Sequence, residues 1–298
     1  MNKLIVILGQ TSSGKTALSI KLAKKFNGEV VSADSRQVYK GMDIGSGKIT
    51  KKEMQGIPHY LLDVASPKKR FTVAQYQKLS VKTINKIHRK NKLPLLVGGT
   101  GFYIQSVVDG IAIPEVKPDW KLRNKLEKKS NKELFLMLKK LDPKRAKSID
   151  KNNPRRLIRA IEIIIKTGKP VPPLVTRRRK SANFDILQLG IKKIPEKLKK
   201  SIKKRLTGRL KQGMVKEVTT LHKSGISWKR LEEFGLEYRF VAQYLQNKIT
   251  REEMINKIQK ESENFAKRQM TWFKKDNNVI WIKNYKEAVH QIDKFLLI

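Results

Sequence analysis

The sequence predicts an α/β fold in which a parallel sheet core is flanked by helices and carries a helical insertion domain. Short apolar runs alternate with helical stretches, which is typical of a parallel sheet with crossover helices. The first apolar run, residues 4–8, leads directly into a glycine-rich loop and then into an amphipathic helix. Between about residues 115 and 180, leucines recur at helical spacing among lysines without any strand pattern, so this stretch is predicted to be a separate helical unit.

The predicted elements and domains follow from these patterns in chain order. Strands are expected at residues 4–8, 30–34, 95–97, 184–191 and 279–282. The clearest helices are expected at residues 16–26, 153–165, 197–222 and 250–275. Residues 1–114 and 181–298 are predicted to form the core, and residues 115–180 the insertion. A chain of 298 residues, 39% of them hydrophobic, is long enough to bury a core in each.

The loop after the first strand has the Gly-x4-Gly-Lys-Thr spacing of a P-loop. Its glycines allow backbone N–H groups to surround an anion, and the following helix directs its positive end at the same point. Lys15 adds a positive charge, and the Thr16 hydroxyl can hold Mg²⁺. The core is therefore predicted to be of P-loop type, as in ATP-binding proteins. The predicted phosphate-binding residues are Gly9, Thr11, Ser12, Ser13, Gly14, Lys15 and Thr16.

The magnesium-binding carboxylate that accompanies most P-loops is missing from its usual place in this sequence. Such proteins usually have a second strand that ends in a magnesium-binding carboxylate. The best candidate strand, residues 93–97, leads into Gly98–Tyr103, which contains no carboxylate. A carboxylate instead follows the strand at 30–34, where Asp34 would face the phosphate loop at the carboxyl ends of the strands. An Asp in this position is more often a turn residue.

Charge favours a polyanionic partner. Lys and Arg number 67 against 26 Asp and Glu, for a formal net charge of +41. Because 50 of the 67 are lysines, a general lysine bias explains the total equally well. The arginines are more informative, since residues 153–165 predict a helix with Arg155, Arg159, Glu162 and Lys166 on one face. The opposite face, with Leu157, Ile161, Ile164 and Ile165, is predicted to pack. Three further arginines, Arg177 to Arg179, follow in a polar loop.

The remaining composition bounds the compartment and the assembly. The chain has no cysteine, which excludes disulfides and thiolate metal sites. It shows no signal-peptide pattern and no apolar run of membrane-spanning length. A soluble, cytoplasmic protein without membrane contact is expected. The large like charge favours a monomer with no obligate protein partner.

Five segments together resemble the tRNA dimethylallyltransferase family of the bacterial type. They are residues 9–16, 32–45, 58–63, 97–103 and 267–273, and their order and spacing span nearly the whole chain. The resemblance implies transfer of a dimethylallyl group from its diphosphate to N6 of adenine 37, beside the anticodon. It implies tRNA (the anticodon stem-loop) and dimethylallyl diphosphate as partners and Mg²⁺ as cofactor. The P-loop would then hold a leaving diphosphate, so that no hydrolytic water and no second acid are needed.

The resemblance also implies roles for individual residues. Asp34 would accept the proton that the exocyclic amine loses, Thr100 would orient the reacting groups, and Arg205 would be a second cation on the diphosphate. Spacing alone would make Arg205 a solvated helix residue. The implied tRNA-binding residues are Asp34, Ser35, Arg36, Gln37, Thr100, Arg123, Arg155, Arg156, Leu157, Ile158, Arg159, Tyr238 and Arg239.

The sequence departs from the family pattern in a few places. Gln10 stands where the loop usually has Pro, and Ile49 stands where Pro usually follows Gly45–Lys48. Glu237 replaces the usual Gly before Tyr238, in a segment expected to meet tRNA. His59 invites a catalytic reading, but the chain has no second histidine or cysteine at metal spacing, so a structural role is expected.

Three other functions remain open from the residues. A P-loop small-molecule kinase explains the phosphate loop but leaves the arginine helix and the Asp34 segment without a role. An isopentenyltransferase acting on free adenine nucleotide shares the chemistry but does not need the basic insertion. A non-catalytic RNA-binding protein predicts no diphosphate site.

Overall fold

The computed structural model describes residues 2–111, 116–171 and 184–297. Its strands are β1 (Asn2–Gly9), β2 (Gly28–Ala33), β3 (His59–Tyr60), β4 (Leu93–Gly98), β5 (Phe184–Ile191) and β6 (Val279–Ile282). They form one sheet in the order β3-β2-β4-β1-β5-β6, and every neighbouring pair is parallel. The parallel sheet with flanking helices confirms the predicted fold class.

Helices connect and cover the strands. They are α1 (Lys15–Lys25), α2 (Lys51–Met54), α3 (Val73–His88), α4 (Gly101–Val108), α5 (Trp120–Leu126), α6 (Asn131–Leu141), α7 (Pro143–Ser148), α8 (Pro154–Thr167), α9 (Pro195–Lys211), α10 (Met214–Lys223), α11 (Trp228–Phe234), α12 (Leu236–Leu245), α13 (Arg251–Phe273) and α14 (Tyr285–Leu297). No helix among the described residues is both long and apolar enough to cross a bilayer.

The central strand β1 is apolar from Leu4 to Leu8 because both of its faces are covered there. Leu4, Val6 and Leu8 belong to the apolar cluster on one face of the sheet, and Ile5 and Ile7 belong to a second cluster on the other. A strand buried on both sides is typical of a parallel sheet. The phosphate loop therefore starts from the middle of the sheet.

The carboxyl ends of three strands are level with one another. In register, Gly98 of β4 is opposite both Leu8 of β1 and Ala33 of β2. Gly9 is opposite Ile191 of β5, where a Cβ would lie 2.5 Å from the Ile191 carbonyl oxygen. Only glycine fits this position. The loops after β1, β2 and β4 consequently leave the sheet at the same edge.

The contact pattern divides the chain into two compact units. Unit 1 comprises Met1–Val108 and Ala182–Ile298, and unit 2 comprises Asp109–Ser181. The sequence had placed these divisions at residues 114/115 and 180/181. Unit 2 has a core of its own, in which Leu134, Leu138, Leu157 and Ile161 are fully buried. We call unit 1 the core and unit 2 the insertion.

Several predictions from periodicity are corrected. The helix predicted at 197–222 is two helices, because Gly213 adopts φ +97° and begins α10 as its N-cap. Ile165, predicted to pack, is 51% exposed, whereas Glu162, predicted to face solvent, is fully buried. The helices α3, α4, α11, α12 and α14 were not predicted. The arginines at 177–179 lie outside the described residues.

Candidate active site at the strand ends

The phosphate loop joins β1 to α1 in a conformation that directs its backbone inward. Gly14 is the N-cap of α1 with φ +102°, a conformation that favours glycine. Ser12 also has positive φ, at +58°, although it is not a glycine. The Ser13 hydroxyl is buried without a hydrogen-bond partner among the described residues. A buried hydroxyl without a partner in such a loop is available to a bound anion.

Lys15 lies within this loop. Its Nζ donates to the carbonyl oxygens of Gly9 at 3.0 Å and Gln10 at 2.5 Å. Burial and then the positive charge of Arg205 lower its pKa to about 7, and the charge of Asp34 acts in the opposite sense. The three groups predicted to act on substrate are therefore close enough to influence one another's charge.

Arg205, on α9, is not a solvated helix residue. Its Nη1 donates to the Thr11 hydroxyl at 3.1 Å and its Nη2 to the Gly47 carbonyl at 3.3 Å. Burial and the neighbouring charge of Arg209 lower its pKa to about 10, so it stays a cation at neutral pH. Arg209 in turn donates to Glu237 at 2.5 Å. A second cation thus contacts the phosphate loop from another helix, and Glu237 has a structural partner.

Asp34 and Thr100 meet at the ends of β2 and β4. The Asp34 Oδ1 accepts from the backbone N–H of Arg36 at 2.8 Å and of Gln37 at 3.4 Å. The Thr100 hydroxyl accepts from the Ser35 N–H at 3.0 Å, and the Thr100 N–H donates to the carbonyl of Ala33, the last residue of β2. Asp34 is therefore a turn residue, since its Oδ1 accepts from the two N–H groups that follow, and its charge also acts on Lys15 in the phosphate loop.

Gln269, on α13, was not singled out from the sequence. Its Oε1 accepts from the Thr11 N–H at 2.7 Å and its Nε2 donates to the Gly99 carbonyl at 2.8 Å. The residue is 7% exposed. The signal was present, because Ile258, Ala266 and Phe273 are buried on the same helix and place this polar residue within an apolar stripe.

Comparison with known proteins decides the family. A model of the family described as IPP transferase matches residues 37–276. The chain belongs to the IPP transferase family. The tRNA dimethylallyltransferase of Acetivibrio thermocellus is 42% identical to this chain over 287 residues, which cover 95% of the chain and 92% of that relative. The resemblance inferred from the five sequence segments is thereby confirmed.

Solved structures of relatives agree with this assignment. The full-length tRNA isopentenylpyrophosphate transferase from Bacillus halodurans is 36% identical, with a TM-score of 0.73, and the match covers 100% of this chain and 96% of that one. A eukaryotic dimethylallyltransferase acting on tRNA is 30% identical, with a TM-score of 0.77, covering 91% of this chain and 70% of that one.

In this member of the IPP transferase family, some residues predicted to bind tRNA have other partners. Arg36 donates from Nε to the Phe234 carbonyl at 2.6 Å, and burial lowers its pKa. Gln37 donates to the Gly47 carbonyl at 3.1 Å. Tyr238 is 1% exposed, and its hydroxyl donates to Glu217. The Tyr238 side chain therefore packs in the core, and its contact with tRNA stays a prediction. Arg239 is half-buried and donates to the Glu232 carbonyl.

The arginine helix α8 lies in the insertion. Asn153 caps it by accepting from the Arg156 N–H at 3.2 Å. Arg155 and Arg156 are exposed, as a surface that binds RNA requires. Leu157 and Ile158 are 0% and 6% exposed, so their side chains pack inside the insertion, and their part in tRNA binding stays a prediction.

Arg123 and Arg159 bind a buried carboxylate instead of solvent. Arg123 donates to both oxygens of Glu162, at 2.7 and 2.6 Å, and Arg159 forms a second ion pair with the same residue. Burial opposes the charge on Glu162, but the hydrogen bonds from Arg123 and from the Asp119 N–H prevail and lower its pKa. These two arginines stabilise the insertion.

The histidine and the aromatic residues have packing roles. His59 is half-buried, its Nδ1 lies 2.8 Å from the Ile57 carbonyl oxygen, and burial lowers its pKa. Tyr103 is 6% exposed and stacks on Tyr76 with ring centroids 3.8 Å apart. Phe273 is 3% exposed. The structural role expected for His59 agrees with its position at the start of β3.

Proposed function

We propose that this chain transfers a dimethylallyl group from dimethylallyl diphosphate to N6 of adenine 37 in tRNA and releases diphosphate. Its membership of the IPP transferase family and the names of its relatives support this reaction. The observation that carries it is the site itself. The Asp34 carboxylate and the Thr100 hydroxyl lie at strand ends level with a phosphate loop, and Arg205 contacts that loop.

The diphosphate would bind where positive groups converge. The backbone N–H groups at the start of α1 supply hydrogen bonds, and Lys15 and Arg205 supply charge. A bound diphosphate would draw the Lys15 ammonium from the Gly9 and Gln10 carbonyls and would raise its pKa from about 7. Both cations would then oppose the charge that develops on the departing oxygen as the carbon–oxygen bond breaks.

Asp34 would act on the adenine. N6 forms a bond to the allylic carbon, the bond from that carbon to the diphosphate oxygen breaks, and N6 loses one proton. The Oδ1 atom of Asp34 is engaged by two backbone N–H groups, which fixes the carboxylate and leaves Oδ2 to take the proton. Thr100 holds the Ser35 backbone beside it.

The donor groups fit a Mg²⁺ ion that arrives with the diphosphate. The described residues contain no cluster of three His, Cys, Asp or Glu side chains that could hold a metal alone. Mg²⁺ usually keeps several waters and binds through one or two protein oxygens and substrate phosphates. Thr16, in the first turn of α1, would supply such an oxygen. When bound, the ion neutralises charge on the leaving diphosphate.

Two surfaces would meet the tRNA. In the core, Ser35 and Gln37 border Asp34 and would contact nucleotides beside the flipped adenine, because the reacting base must leave its stack to reach the acid. Arg36 would contribute mainly through its backbone. In the insertion, the exposed pair Arg155 and Arg156 would bind phosphates as planar donors. Arg239 is half-buried and could add one donor.

A reconstituted reaction tests the proposal. Purified protein, Mg²⁺ and dimethylallyl diphosphate should convert an unmodified tRNA that has adenine at position 37, releasing one pyrophosphate per modified base. A tRNA with guanine at that position is the matched control and should not react. ATP should not be consumed.

Other outcomes would identify the alternatives. Stoichiometric ATP hydrolysis would favour a kinase, which the structure disfavours because β4 leads into Gly99 and Thr100 without a carboxylate. Preference for a free adenine nucleotide would identify the related isopentenyltransferase. Tight tRNA binding with no reaction and no pyrophosphate binding would identify an RNA-binding protein.

A further inference from the structure

We propose that Gln269 is a positioning residue that sets the distance between the phosphate loop and the acid at the end of β2. This rests on the proposed function, in which the diphosphate and the adenine must meet with their reacting atoms aligned. One amide side chain contacts both loops, since it accepts from Thr11 and donates to Gly99.

The two hydrogen bonds of Gln269 belong to a continuous chain across the site. On one side, the Thr11 hydroxyl accepts from Arg205, the second cation of the diphosphate site. On the other side, Gly99 precedes Thr100, whose hydroxyl accepts from the Ser35 N–H beside Asp34. This series of contacts therefore connects Arg205, the proposed cation for the leaving group, with the segment beside Asp34, the proposed acid for the nucleophile. Gln269 is its central member.

The amide suits this place because it is both donor and acceptor. The Thr11 N–H needs an acceptor and the Gly99 carbonyl needs a donor, and the Gln amide carries both on one rigid plane. A carboxylate would place negative charge against the Gly99 carbonyl and also beside the diphosphate. Because the Gln269 side chain is 7% exposed and both ends of its amide are hydrogen-bonded, it has little freedom to rotate.

Steric contacts of α13 fix the same loop. A Cβ at Gly99 would lie 2.4 Å from the Gln269 Nε2, and a Cβ at Gly101 would lie 2.4 Å from the Trp272 ring. Two side chains one turn apart on α13 thus require glycine at two positions of the loop that carries Thr100. The helix therefore holds Thr100 through two close contacts. Gln269 extends the connection to the phosphate loop, where Gln10 also donates to the Ala266 carbonyl of α13 at 3.3 Å.

Gln269→Met tests the role because Met has nearly the same length and volume but makes neither hydrogen bond. Misplacement by about 1 Å can cost about 100-fold in rate. The single-turnover rate with saturating tRNA and dimethylallyl diphosphate should fall by roughly 10- to 100-fold. Pyrophosphate affinity should fall with it, whereas tRNA affinity should stay within about threefold. Gln259→Met is the matched control, since Gln259 is half-buried on the same helix and donates to Glu263 there.

A second variant separates positioning from folding. Gly99→Ala should lower the rate as Gln269→Ala does, because the new methyl group displaces the amide. In the double variant the added methyl group should cost little, so the two effects should be strongly non-additive. Rates are measured per folded molecule, at a temperature where circular dichroism shows the native state.

The possible outcomes are distinct. A lowered melting temperature with a wild-type rate per folded molecule, or additive effects of the two alanines, would overturn the proposal. If the wild type transfers no dimethylallyl group, the proposed function fails. The loss of pyrophosphate affinity in Gln269→Met, relative to Gln259→Met, still reports on the phosphate loop in that case.

Discussion

The phosphate-loop site in the core and the arginine helix in the insertion were predicted with the same kind of evidence, a cluster of polar residues at regular spacing. In the core, the charges of Asp34 and Arg205 both act on Lys15, so the three side chains lie near one another. In the insertion, Arg123 and Arg159 contact the buried Glu162 instead of facing solvent. The comparison teaches that spacing predicts which residues lie together more reliably when glycines and strand ends fix the backbone than when it defines only the face of a helix.

The physical reason lies in what each pattern constrains. Glycine spacing and strand ends determine backbone position, and parallel register then brings the loops to one edge. Helical spacing determines only a face, and a charged face can be turned inward when a partner of opposite charge is available. Glu162 is such a partner, since two arginines and a backbone N–H satisfy it.

Asp34→Asn should give the largest effect, and it tests whether the site in the core acts as proposed. The amide keeps the size and much of the hydrogen bonding of the carboxylate but cannot accept the proton. We expect single-turnover transfer to fall by roughly 10²- to 10⁴-fold, while affinities for tRNA and for diphosphate change far less. Asp293→Asn, on the exposed side of α14, is the control. A rate within a few-fold of wild type would leave Asp34 as a turn residue.

Glu162→Gln should destabilise the insertion, and it tests whether Arg123 and Arg159 stabilise that unit. Removing the charge leaves Arg123 and Arg159 without their ion-pair partner, and breaking such a buried pair costs about 3 to 5 kcal/mol. Backbone hydrogen exchange in α8 should accelerate correspondingly. Glu127→Gln, exposed in the same unit, should leave exchange unchanged. Unchanged exchange in Glu162→Gln would mean that the pair does not hold the unit.

The same ion pair predicts a dependence on pH. The folded pKa of Glu162 lies below its ordinary value of 4.5. Its stabilising contribution is therefore present above that value and is lost as the pH falls through the lower folded pKa. Exchange in α8 should rise on acidification more in wild type than in Glu162→Gln.

Much of the fold could be predicted because apolar runs identify buried strands directly. The sequence missed α3, whose Thr72 and Gln75 form a capping box, and α12, which Gly235 separates from α11. Both signals were local and readable. Gln269 could not be assigned from spacing, because its partners are backbone atoms of Thr11 and Gly99, far away in the sequence. Which face of α8 is buried likewise depends on the contact between Glu162 and Arg123. Arg123 lies outside α8, so the spacing of residues along the helix does not show this contact.

Lys15 predicts a pH effect of intermediate size on the core site. With its pKa lowered to about 7, mainly by burial and then by Arg205, it is half charged at neutral pH in the free protein. Anion binding favours the charged form, so binding should take up a proton above pH about 7. The affinity advantage of wild type over Lys15→Gln for pyrophosphate should then shrink by up to about tenfold per pH unit. Calorimetry in two buffers measures the proton uptake. An advantage independent of pH would mean that Lys15 is fully charged throughout.

The smallest effect is expected from the exposed arginines of the insertion, Arg155 and Arg156. Arg155→Ala together with Arg156→Ala should reduce the slope of log affinity for tRNA against log salt by about 0.7 to 0.9 per lost phosphate contact, with pyrophosphate binding unchanged. Lys139→Ala with Lys140→Ala removes equal charge from exposed positions on α6 of the same unit. If both pairs lower the slope equally, the general positive charge binds tRNA. If only the arginine pair does, planar donors at the start of α8 form a defined surface, and helical spacing located two of its arginines correctly.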